Sequence, residues 1–353
     1  MDFLSIFTPE VLAANWTEVA SNRIPYLGEG LFPAAKKAGL DLSWLKGEKG
    51  LPISLMPSAF DAQATYRDRL GVEKLETEMP FFREGFKIKE KDRQELLRAS
   101  EIGDRYAQAV IARVFDDNAQ LIEGALVVPE RMRMSLLFPV GGDMGIAIKA
   151  NGVDYTYDYD QAEGGTRPWK STNYFALTGD SLWSSTATAD PFADIDNAKE
   201  RIGEKTGTDL KYAIMNRYTF NLMVKINAVK NRFMTTSGLA IAHLTPTELG
   251  RVVEETEQMN IVVYDKQYKD ESGVSHKFVP NGYVALVPEG KLGNTWFGTT
   301  PEEADGKNTI LVQTGISLTT VDIPHPVNKN IIASEIVLPS YERMNEVALL
   351  KVV

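Results

Sequence analysis

The sequence predicts an α+β protein in which extended segments and one very long helix precede a module of alternating strands and helices. Three observations predict it. Residues 92–123 keep apolar side chains at helical spacing over a span far longer than an average helix. Residues 49–90 pattern as an outgoing strand and a returning strand. From Asp190 onward, strand and helix patterns alternate.

Composition narrows the function classes. The chain has 353 residues, 43% apolar and 24% charged, which is globular composition with ample material for a core. Its 38 basic and 48 acidic residues leave a net charge of −10. That balance argues against gripping nucleic acid by its phosphates, although a container whose wall repels the nucleic acid it holds stays compatible. There is no cysteine, hence no disulfide framework, thiolate metal site or thiol nucleophile. "MDFLSIFTPEVLAANW" lacks the basic start and apolar core of a secretory signal, and no stretch is long enough to span a bilayer, so a cytosolic product is expected.

Residues 1–48 combine a helical pattern over 8–20 with "IPYLGEGLFPAAKKAG", a stretch punctuated by Gly and Pro. They hold little to bury among themselves and are expected to pack as an arm on something else. Residues 49–90 form the excursion: "GLPISLMPSAFDAQATYRDR" alternates outward and "MPFFREGFKIKEKD" returns. A lone hairpin is marginal in water, so this one needs a partner surface.

The long helix is expected over 92–123, with Asp92 as N-cap, Glu95 completing a capping box and Gly124 as the stop. Thirty-two residues make a rod of about 48 Å, natural for a spine. Residues 126–190, including "RMRMSLLF", "GIAIKA" and "VDYTYDYD", pattern as β structure, with Trp169 and Trp183 in the loops after it. Beyond Asp190 come a capped helix ("DPFADIDNAKERIGEKTG"), a buried strand ("LKYAIMN"), a helix ("RYTFNLMVKINAVKNRF"), a further helix ("ELGRVVEET") and strands in "NIVVYD", "FVPNGYVALVP" and "NTILVQTG". The tail, "IIASEIVLPSYERMNEVALLKVV", holds two closing strands around Pro339.

No motif carries chemistry. "IGEKTGTD" lacks the glycines and leading strand of a phosphate loop and is a helix end at Gly207. "GGDMG" has no strand–turn–helix context. His243, His276 and His325 are scattered, so each is expected to be a surface or capping residue rather than a metal ligand. Asp154, Asp158 and Asp160 share a strand face without the glycine of a calcium loop, which fits a solvated face; Asp190, Asp194 and Asp196 fit a helix cap and first turn. There is no GxSxG elbow. Catalytic, cofactor and metal residues are therefore assigned as none.

In this order of elements the chain resembles the major capsid proteins of tailed bacteriophages, of the lambda-type capsid protein E family. Three stretches carry the resemblance: "GLPISLMPSAF" with "MPFFREGFKIKEKD", "TDLKYAIMNRYTFNLMVKINAVKNRF", and "NIVVYDKQYKDESGVSHKFVPNGYVALVPEG". The resemblance implies an N-terminal arm (1–48), an extended loop (49–90), a peripheral domain on the spine helix (91–189), an axial domain (190–330) and closing strands returning to the peripheral domain (331–353). It implies hexamers and pentamers closing into an icosahedral shell around double-stranded DNA, with scaffolding protein, portal and a decoration protein as partners, no membrane, and assembly in the host cytoplasm into a virion. Some members carry a cleaved scaffolding segment. Here the arm begins almost at Met1, so a separate scaffold or a processed form is expected. The other readings are a bacterial nanocompartment shell and an α/β enzyme with an accessory β domain.

The expected subunit interface lies on the returning strand. Strand alternation puts Phe82 and Phe86 on one face and Phe81 on the other. Aromatics are ordinarily core residues of their own subunit. A two-stranded ribbon, however, has no second layer, so one face must be covered from outside. Arg83, Glu84, Lys87, Lys89 and Glu90 would then form the polar rim.

Overall fold

The computed structural model describes residues 7–21, 23–47, 72–92, 94, 105–150, 152–162, 165–237 and 246–353. It is an α+β fold of two compact units. One unit draws on Met1–Ser43, Glu76–Met132 and Gly293–Ser340, the other on Trp44–Leu75, Arg133–Leu292 and Tyr341–Val353.

The first unit is built around one strand of 14 residues, Val327–Ser340. Ile316–Pro324 runs antiparallel to it from Val327 to Glu335, and Phe81–Ile88 runs antiparallel to it from Lys329 to Ile336. Asn294–Phe297 continues along Val337 to Ser340. Ala34–Lys36 and Thr309–Gln313 complete the sheet. Gly315 makes the turn between Thr309–Gln313 and Ile316–Pro324 at φ +86°, and a side chain there would collide with the ring of Phe297. Helix Pro9–Ala20, capped by Thr8, and helix Arg105–Leu137 cover one face of the sheet. Phe7, Leu12, Trp16, Val114, Ile122 and Leu126 pack there against Ile88, Ile316, Leu318 and Ile331. The arm thus has a surface on its own chain, and Gly28 N–H donates to the buried Glu130 carboxylate at 3.1 Å.

The long helix differs from its expected bounds. It runs Arg105–Leu137, through Gly124 and Pro129, and takes in the "RMRMSLL" stretch read as a strand. Two physical facts explain this. Leu, Met, Arg and Glu are strong helix formers, and Ile122, Leu126, Glu130, Arg133 and Leu137 are buried at spacings of three and four residues. Met132, Met134 and Leu136 are buried too, which imitates strand alternation in sequence. At the other end the chain is already helical at Glu90. Asp92 accepts from Lys89 N–H at 3.0 Å, so it bonds back to the start of that turn instead of standing ahead of it as N-cap. Glu95 lies outside the described residues.

The second unit holds a five-stranded sheet in the order Tyr174–Ala176, Ala348–Lys351, Tyr283–Pro288, Leu210–Met215, Asn260–Val263. Helix Pro191–Thr206 starts on the Asp190 cap and ends at the left-handed Gly207, as its sequence signals require. The expected single helix after Asn216 is two, Arg217–Lys225 and Asn227–Ser237. Ile226 between them is extended (φ −70°, ψ 136°) and fully buried, and Asn227 N–H donates to Thr186 O at 2.9 Å, which pins the break. Trp169 lies not in a loop but in helix Pro168–Asn173 and donates to Met344 O, whereas Trp183 lies in a turn, as expected, and donates to Asp194; both are buried.

The expected segment boundaries shift accordingly. Asp190 begins a helix rather than a unit, residues 293–330 belong to the first unit, and the closing strands divide. Val327–Ser340 sits in the first sheet, whereas Ala348–Lys351 pairs with Tyr283–Leu286 in the second.

The second unit's polar core can be tested at two residues. Asn216, with no exposed surface, accepts from Thr219 N–H (2.9 Å) and Thr219 Oγ1 (2.8 Å), and donates to Val279 O (3.0 Å) and Asn281 Oδ1 (2.7 Å). Asn216→Ala removes a cap and strands a buried carbonyl, so chemical denaturation should register a loss of about 2–4 kcal/mol; a loss within error would refute the role. Glu257, 4% exposed, meets Arg232 Nη2 at 3.0 Å. Burial, and then the Asp196 carboxylate beside it, raise Glu257 from the ordinary 4.5 to about 7, against Arg232 and Lys199. A raised carboxyl contributes stability that is complete below about pH 4.5 and is lost as the pH climbs through about 7. Calorimetry should therefore find a melting temperature that declines between about pH 5 and 8, with Glu257→Gln flattening the decline. An undiminished slope in that variant would assign the effect elsewhere.

Candidate assembly surface

Phe81, Phe82, Arg83, Glu84, Phe86 and Lys87 lie on strand Phe81–Ile88, and Lys89 and Glu90 follow it. The strand is not half of an isolated ribbon. All eight of its residues are paired with Lys329–Ile336. Its partner lies far downstream in the chain, beyond the reach of local pattern, and that is why the ribbon argument missed it.

The register decides what each face does. Phe82, Glu84, Phe86 and Ile88 stand beside Glu335, Ala333, Ile331 and Lys329. On this face Ile88 belongs to the core under the long helix and Phe86 packs against that core. Phe86 is thus anchored in its own chain, and Phe82 at the other end of the face is half-buried. The reverse face carries Phe81, Arg83, Gly85 and Lys87. Arg83 lies 4.6 Å over the Phe81 ring and forms an ion pair with Glu302. Glu302 also accepts from Ser334 Oγ at 2.9 Å, Ser334 meets Ser317 at 2.9 Å, and Ser317 meets Thr300 at 2.7 Å. Arg83 is therefore held from below by a buried hydroxyl chain and is not a loose rim charge. Glu90 is likewise engaged within the chain, accepting from Val327 N–H at 2.8 Å. Glu84, Lys87 and Lys89 are exposed.

Sequence reasoning overlooked the groove beside this strand. Its floor and walls include Glu84 and Phe86 from the strand, and Asp117, Gln120, Leu121 and Gly124 from helix Arg105–Leu137. The residue of this groove that stands out in the sequence is Gly124, a glycine set among strong helix formers.

The acidic positions considered for metal have structural partners. Asp154 pairs with Lys149 at 2.7 Å and Asp158 with Arg167 at 2.7 Å. Asp160 is not on a solvated strand face, because the strand ends at Asp158; it is buried and accepts from Trp169 N–H (2.8 Å) and Lys170 N–H (3.0 Å), capping helix Pro168–Asn173. His276 meets Asp270 at 2.8 Å on the hairpin Gln267–Lys277, His325 precedes a cis proline, and His243 lies outside the described residues. Among the described residues no group of three His, Cys, Asp or Glu could hold a metal ion, and no helix is long and apolar enough to cross a membrane.

Comparison with known proteins places this fold. A family model described as phage major capsid protein E matches residues 8–352. No curated protein sequence matches the chain. The putative capsid protein of a prophage of E. coli CFT073 is 11% identical with a TM-score of 0.59, over 98% of this chain and 99% of that one. The capsid of cyanophage A-1(L) is 13% identical with a TM-score of 0.52, over 96% and 98%. A phage-related protein from Bordetella bronchiseptica RB50 is 13% identical with a TM-score of 0.51, over 98% and 96%. At such identities the structures share the fold, while the family match spans nearly the whole chain: the chain belongs to the phage major capsid protein E family and is a shell protein of the virion.

Proposed function

We propose that this chain self-associates as hexamers and pentamers into an icosahedral shell that encloses the double-stranded DNA of a tailed phage, as a structural protein and not an enzyme. The observation that carries the reading is the capsid-family match over residues 8–352. It also favours a phage head over a nanocompartment or an α/β enzyme. In this reading the first unit, with the long helix, is the peripheral domain and the second unit the axial domain. Scaffolding protein, portal and a decoration protein are its partners, and assembly takes place in the host cytoplasm. The net charge of −10 supports an inner wall that lets DNA slide, since phosphate contacts in number would pin it.

The returning strand contributes to the subunit boundary through Phe82, Glu84, Lys87 and Lys89, while Phe81, Arg83, Phe86 and Glu90 hold the strand in place from within the chain. The test compares Phe82→Ala with Phe86→Ala by circular dichroism, size exclusion and negative-stain microscopy. Phe86→Ala should cost the subunit about 2–4 kcal/mol of folding stability. Phe82→Ala should fold as the parent does and weaken each intersubunit contact by about 2 kcal/mol, roughly 30-fold, so that particles are few or fragile. Equal loss of folding in both variants would make Phe82 ordinary core. A parent chain that stays monomeric at high concentration with its scaffold supplied would overturn the shell reading itself.

A further inference from the structure

Residues 210–247 contain no aspartate or glutamate, although the chain carries 48 of them, and the next longest acid-free stretch, 272–288, is less than half as long. The same stretch holds five basic side chains, Lys211, Arg217, Lys225, Lys230 and Arg232. Three of them are compensated by carboxylates from outside it: Lys211 pairs with Asp209 at 2.5 Å, Arg217 with Asp265 at 3.5 Å and Arg232 with Glu257 at 3.0 Å. Lys225 and Lys230 form no ion pair with any described residue. They flank the break at Ile226, Lys225 as the last residue of helix Arg217–Lys225 and Lys230 in the first turn of helix Asn227–Ser237. On the first helix Tyr218, Asn221 and Lys225 are exposed at spacings of three and four. On the second Asn227 and Asn231 are exposed four apart, with Lys230 half-buried beside them. The other faces, through Phe220, Met223 and Val229, are in the core of the second unit. Each helix thus presents a polar face that carries no carboxylate of its own.

Charge and side-chain type decide what such a face can meet. Without this stretch the chain would carry −15 rather than −10, so its positive charge is concentrated here and not spread evenly. Lysine ammonium groups, asparagine amides and the tyrosine hydroxyl all donate to phosphate oxygens, and no carboxylate of the face repels them. A protein partner fits less well, because lysine is depleted at the centres of protein interfaces. We propose that the exposed face of helices Arg217–Lys225 and Asn227–Ser237 is where the shell touches its double-stranded DNA, with Lys225 and Lys230 on phosphates and the amides of Asn221 and Asn227 beside them. The inference rests on the shell reading and locates within it the part of the wall that meets the genome. Two charges per copy make a weak contact. The logarithm of a DNA-binding constant falls against the logarithm of salt concentration with a slope of about −0.9 per neutralised phosphate, hence about −1.8 for this pair. So shallow a hold lets DNA slide along an otherwise acidic wall.

Two measurements test it. Dissociated subunits titrated with a short synthetic duplex of arbitrary sequence should bind weakly at low salt, with the slope of about −1.8. Lys225→Gln with Lys230→Gln should take that slope toward zero while leaving circular dichroism, melting and the yield of empty particles unchanged. Lysine acylation read by peptide mass spectrometry should then modify Lys225 and Lys230 of the parent at similar rates in dissociated subunits and empty particles, and severalfold more slowly in DNA-filled ones. Four results each overturn the proposal. The parent subunit fails to bind the duplex at low salt, or the double variant binds it with the parent's slope, or the two lysines react equally fast in filled and empty particles, or they are already shielded in empty particles, which would give the face to a neighbouring copy. Any of these in a parent that forms particles leaves the shell reading standing; a parent that forms none removes both.

Discussion

The strand Val327–Ser340 is the contact on which the first unit depends. Three other strands take their backbone partners from it: Ile316–Pro324, Phe81–Ile88 and Asn294–Phe297. An unpaired backbone group inside a protein costs about as much as a lost hydrogen bond, so this strand fixes the position of everything paired to it. The pairing with Phe81–Ile88 also closes a chain loop that takes in most of the sequence. Closure entropy grows only as the logarithm of loop length, so the pairing is thermodynamically cheap for its span, although such non-local contacts form slowly. Its consequence is positional. Strand Phe81–Ile88 is fastened residue by residue into the sheet, so that sheet sets its position.

The long helix adds the second layer, and it tolerates two residues that ordinarily end helices. Pro129 has no N–H to give to the carbonyl of Ala125, and Gly124 contributes nothing to packing. Burial outweighs both. Ile122 and Leu126 pack on the sheet-side core, and Glu130 is buried with Gly28 N–H donating to it. Several fully buried side chains at about 1.5–3 kcal/mol each exceed the roughly 4 kcal/mol that one glycine and one proline take from helix propensity. The buried Glu130 is admitted for the same reason that the Thr300–Ser317–Ser334 chain is admitted beneath Arg83: it is hydrogen-bonded inside the protein.

What could be read in the sequence was whatever is encoded locally. Asp190 and Gly207 each announce a helix end through their own side chain or lack of one, and each sits at the end it announces. The strands Leu210–Met215 and Tyr283–Pro288 are short apolar runs between turn residues and needed no further information. The failures were of two kinds. Gly124 and "RMRMSLLF" carry a local signal that tertiary burial overrides. The partner of Phe81–Ile88, the placing of residues 293–330 and the split of the closing strands are questions of long-range pairing, on which alternation is silent. The candidate surface suffered most, because whether Phe82, Arg83 or Phe86 faces outward depends on a register set far downstream.

That dependence bears on how a shell can be built from so divergent a chain. Structures only 11–13% identical to it keep the fold over nearly its full length. Strand order and apolar spacing tolerate such change, since many side chains satisfy a buried alternating position. Contacts on the outward side of the same strand are under a different constraint. In a closed assembly each surface contact is repeated in every copy, so a small change in one contact is multiplied across the shell. In the interface proposed above, a residue such as Lys87 can therefore be weak by itself and still bear on whether a shell closes. Phe86 and Ile88, alternate positions on the same eight-residue strand, are set by the core and serve a single subunit's stability. One strand thus combines positions set by its own subunit's core with positions proposed to meet a neighbour, and the two kinds share faces.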